Sequence, residues 1–447
     1  MQGEMGEDLL SLRLSVGRFE PTKKRKRIEE PNEKNLMLLL QARERMIRLQ
    51  GSCNRHGLGD DQGFQLVRLL LICATAVDRR DLTSSTDSLR QLYRLASLSG
   101  DPIQRVTAYF ADGLMAKLMT KNSSFYTTIM ADPSPEEEFS AFTALYRASP
   151  YYQFAHFTAN QAIIEAFSEA EQSNGGCLHV VDFDVSYGLQ WPSLIQSLSD
   201  KATALKPISL RITGFGRSAE ELRDTETRLS SFADGCRNLL FEFEGRLTGE
   251  KQEIQMKKNA TVAVNLVFYL HTLKNYSQIC TTLFQIQALN PSIVALVEKE
   301  GNGGCAPGGF LSRFMESLHY FAAMFDSLDD CLHSKNRERL RIEKNHLGRE
   351  IRSDVVFDGE SEKGFRYQRL DAWKTAMERN GFKGVGMSSM SVIQAKLLLK
   401  IKSHCSAVDD HRTGTGFGIS ERDEGKAISL GWQDRHLITA TAWRPAY

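Results

Sequence analysis

From residue 177 onwards, short apolar runs bounded by turn residues alternate with amphipathic helical patterns. The clearest run is residues 177–183 (CLHVVDF), which follows the turn cluster at 174–176 and is β-rich and too short for a helix. A helical pattern then begins at Trp191-Pro192. This order of strand, turn and helix predicts the first unit of a doubly wound sheet, with residues 177–183 as a buried parallel strand.

Further runs continue this alternation. Additional strands are predicted at residues 208–215, 239–244, 262–270 and 293–297, with helices at 219–232 and 279–289. Because such alternation produces parallel strands with right-handed crossovers, the predicted fold class is α/β, a Rossmann-like, doubly wound and mostly parallel sheet. Longer helical patterns then occupy 310–328, 337–352 and 364–380, and antiparallel strands are predicted at 417–421, 427–432 and 437–443.

The residues before the central run are patterned as helices. Apolar side chains recur at three- and four-residue steps through residues 64–118, and among them Leu89, Leu92 and Leu95 form a narrow stripe. Such a stripe can belong to an internal core, or it can form a groove or dimer face for a partner helix. The pattern leaves both interpretations open, so these leucines are candidate partner-binding residues. Residues 122–138, rich in Ser, Pro and Glu, predict a loop.

The same patterning divides the chain into a leader and a domain. Residues 1–60 are mostly polar and turn-rich, and we expect them to form a largely flexible leader. Residues 61–447 are expected to form one domain, with an α-helical cap mainly at 63–150 and an α/β core mainly at 151–447.

Five consecutive cations stand in the leader. They are Lys23, Lys24, Arg25, Lys26 and Arg27. Such a block cannot pack in a core, and on a flexible tail it suits capture by an acidic nuclear-import groove. The alternative is a solvated charge run that no receptor binds. We favour import because the run is compact, follows a proline and lies in a chain that is nearly neutral as a whole.

Composition narrows the class of protein further. The 447 residues are 41% hydrophobic and 25% charged, with a net charge of +1, so no global field directs the protein to nucleic acid or to a membrane. The eight cysteines are scattered without a CxxC pair, which predicts reduced thiols in an intracellular protein and no zinc site. The sequence has neither a signal peptide nor an apolar stretch of about 18 residues, so we expect no secretion and no membrane span.

The loop after the first predicted strand is where a cofactor would bind. A methyl-donor pocket would place glycines two, four and six residues after Asp182, where this chain has Asp184, Ser186 and Gly188. A non-glycine residue is costly in a left-handed conformation, so Asp184 and Ser186 are expected to follow a different loop path. The second strand also ends without an acid for ribose hydroxyls. We therefore predict no cofactor, no metal site, no catalytic residues and no enzymatic activity.

Several motifs, taken in order, resemble those of the plant GRAS-domain family. The matching residues are the leucine-rich region from Phe64, the FTANQAI helix, Val181, Asp182, Phe183 and Asp184 of LHVVDFD, LRITGFG, Arg349-Glu350, Trp432 and Trp443. Two positions depart from the family pattern: Thr441 replaces a Ser and Phe183 replaces an Ile. The segment DVSYGLQWPSLIQSL is in addition similar to Scarecrow-like members linked to root symbiosis.

This resemblance implies a methyltransferase-related core under a helical cap, a nuclear location and transcriptional regulation. The expected partners are other GRAS proteins, in homo- or heterodimers, and DNA-binding transcription factors, so contact with DNA is expected to be indirect. Two alternatives remain: an S-adenosylmethionine-dependent methyltransferase-like enzyme and a transcription factor that binds DNA directly. Against the second, the sequence has no zinc-finger, basic-zipper or helix-turn-helix pattern.

Overall fold

The computed structural model describes residues 33–48, 60–249, 254–301, 309–332, 337–357, 368–401 and 416–446. The candidate import run from Lys23 to Arg27 lies outside these residues.

Helices make up most of the described structure. Those before the first strand are α1 (Glu33–Arg48), α2 (Asp60–Asp78), α3 (Leu82–Leu95), α4 (Pro102–Leu118), α5 (Ser124–Ile129), α6 (Pro135–Ala148) and α7 (Pro150–Glu169). Those after it are α8 (Trp191–Lys201), α9 (Ala219–Ala233), α10 (Tyr276–Ala288), α11 (Phe310–Cys331), α12 (Arg337–Ile342), α13 (Gly348–Val356), α14 (Leu370–Arg379) and α15 (Ser389–Ile401). A π-helical turn, Glu343–Leu347, joins α12 to α13.

One mixed sheet forms the centre of the fold. Its strands are β1 (Cys177–Asp182), β2 (Ile208–Gly216), β3 (Leu239–Leu247), β4 (Thr261–Val267), β5 (Ile293–Lys299), β6 (Phe382–Val385), β7 (Phe417–Arg422), β8 (Ala427–Trp432) and β9 (Arg435–Pro445). Strands β3-β2-β1-β4-β5 run parallel in that order, and β9, β8 and β7 continue the sheet antiparallel, with β6 beside the end of β9. The predicted Rossmann-like α/β class is confirmed, because the parallel strand order reverses direction between β1 and β4.

Apolar side chains of the strands point alternately to the two faces of this sheet, and helices cover both faces. Leu178 and Val180 of β1 face a cluster that includes α8 and α9, whereas Val181 faces a second cluster with α10 and α14. Residues of one strand point to opposite faces in turn, so the near-continuous apolar run of β1 is buried on both sides.

The cap draws on both halves of the chain. α4 packs against α2 and α3, and also against α11 and α13, which come after the parallel strands. Its start is the predicted one, since the Asp101 side chain accepts from the Gln104 amide in a capping box. The cap therefore extends beyond the predicted residues 63–150.

α1 belongs to the folded domain and not to the leader in which we placed it. It packs on α3, its residues Leu39 and Met46 are buried, and its Arg43 forms an ion pair of 2.7 Å with Asp112 of α4. An amphipathic helix that buries its apolar face gains enough free energy from that burial to order an otherwise polar segment.

Two other predictions are corrected by the structure, and two elements were not predicted. The expected loop at 122–138 holds α5 and the start of α6, where Ser134, Pro135 and Glu137 act as N-cap, first residue and capping-box acid. The long helix expected at 337–352 contains the π-turn. β6 and α15 were not predicted, because β6 is only four residues long and α15 is apolar on more than one face. Among the described residues no helix has the length and apolar character needed to span a bilayer.

Candidate functional site

The carboxyl edge of the sheet, where ligands bind in folds of this class, is occupied by a network of polar side chains. Asp182 ends β1, is buried, and accepts hydrogen bonds from Trp191 Nε1 at 3.1 Å and from Asn265 Nδ2 at 2.9 Å. Gln190 Nε2 in turn donates to the Asn265 and Asn160 side chains at 2.9 and 3.0 Å. The network ties β1, β4, α7 and the start of α8 together.

Burial governs the electrostatics of Asp182. Burial raises the pKa of this carboxyl to about 7. The hydrogen bond from Asn265 favours the charged form and opposes that rise. A shifted carboxyl in this position is a common mark of a catalytic group. Here, however, the carboxyl is only 2% exposed and both of its oxygens accept hydrogen bonds from protein side chains, so it acts as a structural acceptor.

The loop after Asp182 follows a path that the sequence did not predict. Ser186 adopts a left-handed backbone with φ of +46°, the conformation we expected it to avoid, while Gly188 has φ of +67°. Two bonds hold this turn: the Ser186 amide donates to Asp184 Oδ1 at 3.2 Å and the Val185 amide donates to the Phe215 carbonyl at 2.8 Å. These contacts offset a strain of about 1 kcal/mol. A side chain at Gly188 would lie 2.7 Å from Thr225 of α9.

Asp184 faces a cation at the tip of β2. Burial raises its pKa, and the charge of Arg217, just after β2, opposes that rise. Arg217 also contacts Glu138 of α6 and Glu221 of α9 at 3.4 and 3.5 Å. A guanidinium therefore stands near the position where a ribose-binding fold carries a carboxylate.

The motif Arg349-Glu350 lies on α13, where the cap meets the sheet. Arg349 forms ion pairs with Asp132 at 2.8 Å and with Glu138 at 2.7 Å. Glu350 accepts a hydrogen bond from Lys299 of β5 at 2.8 Å. Burial alone would raise the pKa of Glu350, but Lys299 and the neighbouring His346 lower it to about 2. The motif holds the cap on the carboxyl edge of the sheet.

The two tryptophans of the final motif also make internal contacts. Trp432 Nε1 donates to Asp326 of α11 at 2.7 Å, which joins β8 to the cap. Trp443 Nε1 donates to the Thr441 hydroxyl at 2.8 Å. A serine would offer the same hydroxyl, so the departure at Thr441 preserves the bond. Phe183 packs on Phe215, with ring centroids 5.6 Å apart.

His156 is a packing residue in this arrangement. It is buried on α7, its Nδ1 lies 3.4 Å from the Tyr146 hydroxyl, and burial lowers its pKa to about 3. Within the described ranges no group of three His, Cys, Asp or Glu side chains could hold a metal ion.

The three candidate partner-binding leucines are separated by the fold. Leu89 and Leu92 are fully buried between the cap helices, whereas Leu95 at the end of α3 is 48% exposed. A partner could not contact Leu89 or Leu92 in this conformation, which corresponds to the internal role left open above. Their spacing matches an inward face because α3 packs against α1, α2 and α4 at once.

A different apolar surface is open on the cap. A groove of about 470 Å³ follows the outer face of α2 and reaches the start of α3, and it is lined by Phe64, Val67, Leu71, Ile72 and Ala76 together with Arg68, Arg79 and Asp81. Phe64 is 72% exposed and Ile72 46% exposed. The sequence pattern placed Phe64 on one apolar stripe with Leu70 and Ala74, without deciding whether that stripe is internal or exposed. The signal that sequence reasoning missed is that apolar residues cover more of α2 than one face requires.

Comparisons with known proteins agree with this architecture. The model of the GRAS domain family matches residues 66–444. The chain is 35% identical to protein SCARECROW of Arabidopsis thaliana over 399 residues, 86% of this chain and 56% of that protein, and 35% identical to protein SCARECROW of Ipomoea nil over 86% of this chain and 47% of that protein. It thus spans about half the length of these relatives.

Two further similarities cover nearly the whole of the matching protein. Scarecrow-like protein 18 of Arabidopsis thaliana is 33% identical over 85% of this chain and 91% of its own length. The crystal structure of SCL7 from Oryza sativa superposes with a TM-score of 0.67 at 29% identity and covers 85% of this chain and 99% of that one. The narrower resemblance to symbiosis-linked members stays a prediction.

Proposed function

Since the chain belongs to the GRAS domain family, we propose that it is a nuclear transcriptional regulator that acts by binding other proteins. Its partners are other GRAS proteins, as homo- or heterodimers, and DNA-binding transcription factors that supply the contact with DNA. The observation that carries the proposal is the apolar groove on α2. Exposed aromatic and aliphatic side chains beside a groove are the usual anchors of protein recognition, and here arginines and an aspartate border them.

The side chains at the carboxyl edge of the sheet favour a protein-binding function over a catalytic one. Asp182, the acid at the switch point between β1 and β4, is held by two side-chain donors inside the core, and Arg217 stands at the tip of β2. Such a fold can keep its sheet for stability while the surface carries the function. The overall charge of +1 gives no support to a direct DNA contact.

The groove is tested by two matched phenylalanine variants. Phe64 on α2 and Phe284 on α10 are exposed by 72% and 71%, so Phe64→Ser and Phe284→Ser remove equally exposed side chains from different surfaces. We expect Phe64→Ser to weaken binding to purified Arabidopsis SCARECROW by about tenfold or more, because a buried phenylalanine contributes about 1.5–3 kcal/mol. Fluorescence anisotropy measures the affinity, and thermal melting checks that both variants stay folded.

Phe284→Ser should bind as the unchanged protein does. If Phe64→Ser also keeps full affinity, both for SCARECROW and for a second copy of this chain, the α2 groove is not the partner surface.

Nuclear location rests on the basic run. Replacing Lys23 to Arg27 by alanine in a fluorescent fusion should move the protein toward the cytoplasm, since an import receptor recognises the compact positive charge. As a positive control, residues 21–27 attached to an otherwise cytoplasmic fluorescent protein should carry it into the nucleus. A variant that stays nuclear together with a control that stays cytoplasmic would contradict this assignment.

A further inference from the structure

Helix α15 has a second apolar face that points to solvent. Its inner face, with Val392, Ala395, Leu398 and Leu399, is buried in the domain, and the helix packs against α7. Its outer face carries Met390, Ile393, Leu397 and Ile401, each at least 50% exposed. Steps of three, four and four residues place these side chains on one line along the helix. Four of the fourteen large exposed apolar side chains among the described residues therefore lie on this helix.

Positive charge borders this outer face on one side. Lys396 and Lys400 are exposed, and on a helix their positions lie next to the line through Ile393 and Leu397. A helix that covers the face should therefore be amphipathic, with an apolar line of matching length and carboxylates beside it.

One segment of this chain outside the described residues has that pattern. On a helix, Met5, Leu9, Leu12 and Val16 would share one face at steps of four, three and four, with Glu4 and Asp8 beside it. Residues 4–16 carry three acids and one arginine, a net charge of −2 against the +2 of the two lysines. The other segments outside the description, 17–32, 49–59, 250–253, 302–308, 333–336, 358–367 and 402–415, do not offer four apolar residues at helical spacing.

We propose that residues 4–16 dock as an amphipathic helix on the outer face of α15, within the same chain. The sixteen residues between Val16 and Glu33 can span up to about 55 Å, which is about the diameter of a compact domain of this size. Docking would hold Lys23 within about 25 Å of α15, since Lys23 follows Val16 by seven positions. The leader is then attached to the domain at two points, α1 and α15.

The pattern of the same residues also fits a strand, but a helix and a strand would place different leucines on one face. Leu10, Leu12, Leu14 and Val16 alternate with polar residues, so a strand would present Leu10 with Leu12, whereas the helix presents Leu9 with Leu12 and turns Leu10 away. A comparison of the neighbouring positions Leu9 and Leu10 therefore distinguishes the helix from the strand.

The test uses the full chain with photoreactive benzoylphenylalanine in place of Leu9 or, as the matched control, of Leu10. After illumination, mass spectrometry should locate crosslinks from position 9 on residues 390–401. The yield from position 10 should be about tenfold lower, since that position faces away from α15. Mixing with ¹⁵N-labelled chains distinguishes crosslinks within one chain from those between two.

Two charge variants complete the design. Lys396→Glu with Lys400→Glu should lower the yield from position 9 by about tenfold, as expected for the loss of two exposed ion pairs and their replacement by repulsion. Lys258→Glu, an exposed lysine before β4, should leave it unchanged. The proposal is overturned if position 10 crosslinks α15 as well as position 9 does, if the products map to another surface, if they join two chains, or if none forms while circular dichroism shows a folded protein.

Discussion

The carboxyl edge of the sheet and the outer face of α2 distribute polar and apolar groups in opposite ways. At the sheet edge, Asp182 and Asn265 are polar side chains inside a core, and Asp182 accepts hydrogen bonds from both Asn265 and Trp191. On α2, Phe64 and Ile72 are apolar side chains in contact with solvent. Buried polar groups with every bond made stabilise a fold, whereas exposed apolar groups gain free energy only when something covers them. The first region stabilises the fold, and recognition is the role we propose for the second.

The family motifs contribute to the stability of the fold. Asp182 bonds to Trp191, Glu350 to Lys299, and Trp432 to Asp326, and each of these bonds joins two different elements of the fold. A motif made of acids, arginine and tryptophan resembles an active site in a sequence. In this fold its members connect β1 to α8, the cap to β5, and β8 to α11.

The largest expected effect is a loss of stability on removing the acceptor at the sheet edge. Asp182→Leu leaves the Trp191 Nε1–H buried without a partner and removes one of the two acceptors of Asn265 Nδ2, which should lower the free energy of unfolding by about 2–5 kcal/mol. Urea denaturation followed by circular dichroism measures the change. Asp224→Leu, which removes an exposed acid from α9, should change it by less than about 0.5 kcal/mol.

The same variant separates the two regions. Under conditions where Asp182→Leu is still folded, its affinity for SCARECROW should equal that of the unchanged protein, because the α2 groove is intact. A stable Asp182→Leu protein that has lost partner binding would show that the sheet edge takes part in recognition as well as in stability.

A smaller effect is expected in the pH dependence of stability. The folded pKa of Asp182 is about 7, so between about pH 4 and pH 7 the folded protein holds a proton that the unfolded chain has released. This contribution to the free energy of unfolding therefore falls as the pH rises through that range. Asp182→Asn does not titrate, so the stability of the unchanged protein relative to this variant should decrease from pH 4 to pH 7.

Glu350 should behave in the opposite sense. Its folded pKa of about 2 lies below that of an unfolded glutamate, so its contribution is present above about pH 4.5 and is lost as the pH falls toward 2. Denaturation curves at several pH values for Asp182→Asn and Glu350→Gln measure both trends. A constant difference between the unchanged protein and Asp182→Asn would mean that Asp182 stays charged throughout this range.

The local patterns predicted the strands well because each strand carries its own signal. β1 and β8 are short apolar runs beside turn residues, and α4 begins with its own capping box. These features depend on neighbours within a few residues. The loop at Ser186 also depends on a distant neighbour, since its left-handed backbone is held both by the local bond to Asp184 and by a bond from Val185 to Phe215, thirty residues further along the chain.

The sequence by itself determined the alternation of the parallel strands with helices, the α/β class and the family, because apolar periodicity, turn residues and motif order are properties of the chain. Only the tertiary structure decided which apolar faces are covered. Leu92 of α3 and Phe64 of α2 belong to similar helical patterns, but α1, α2 and α4 surround the first, whereas the second remains 72% exposed. Burial depends on what packs against a residue, and those neighbours come from distant parts of the chain.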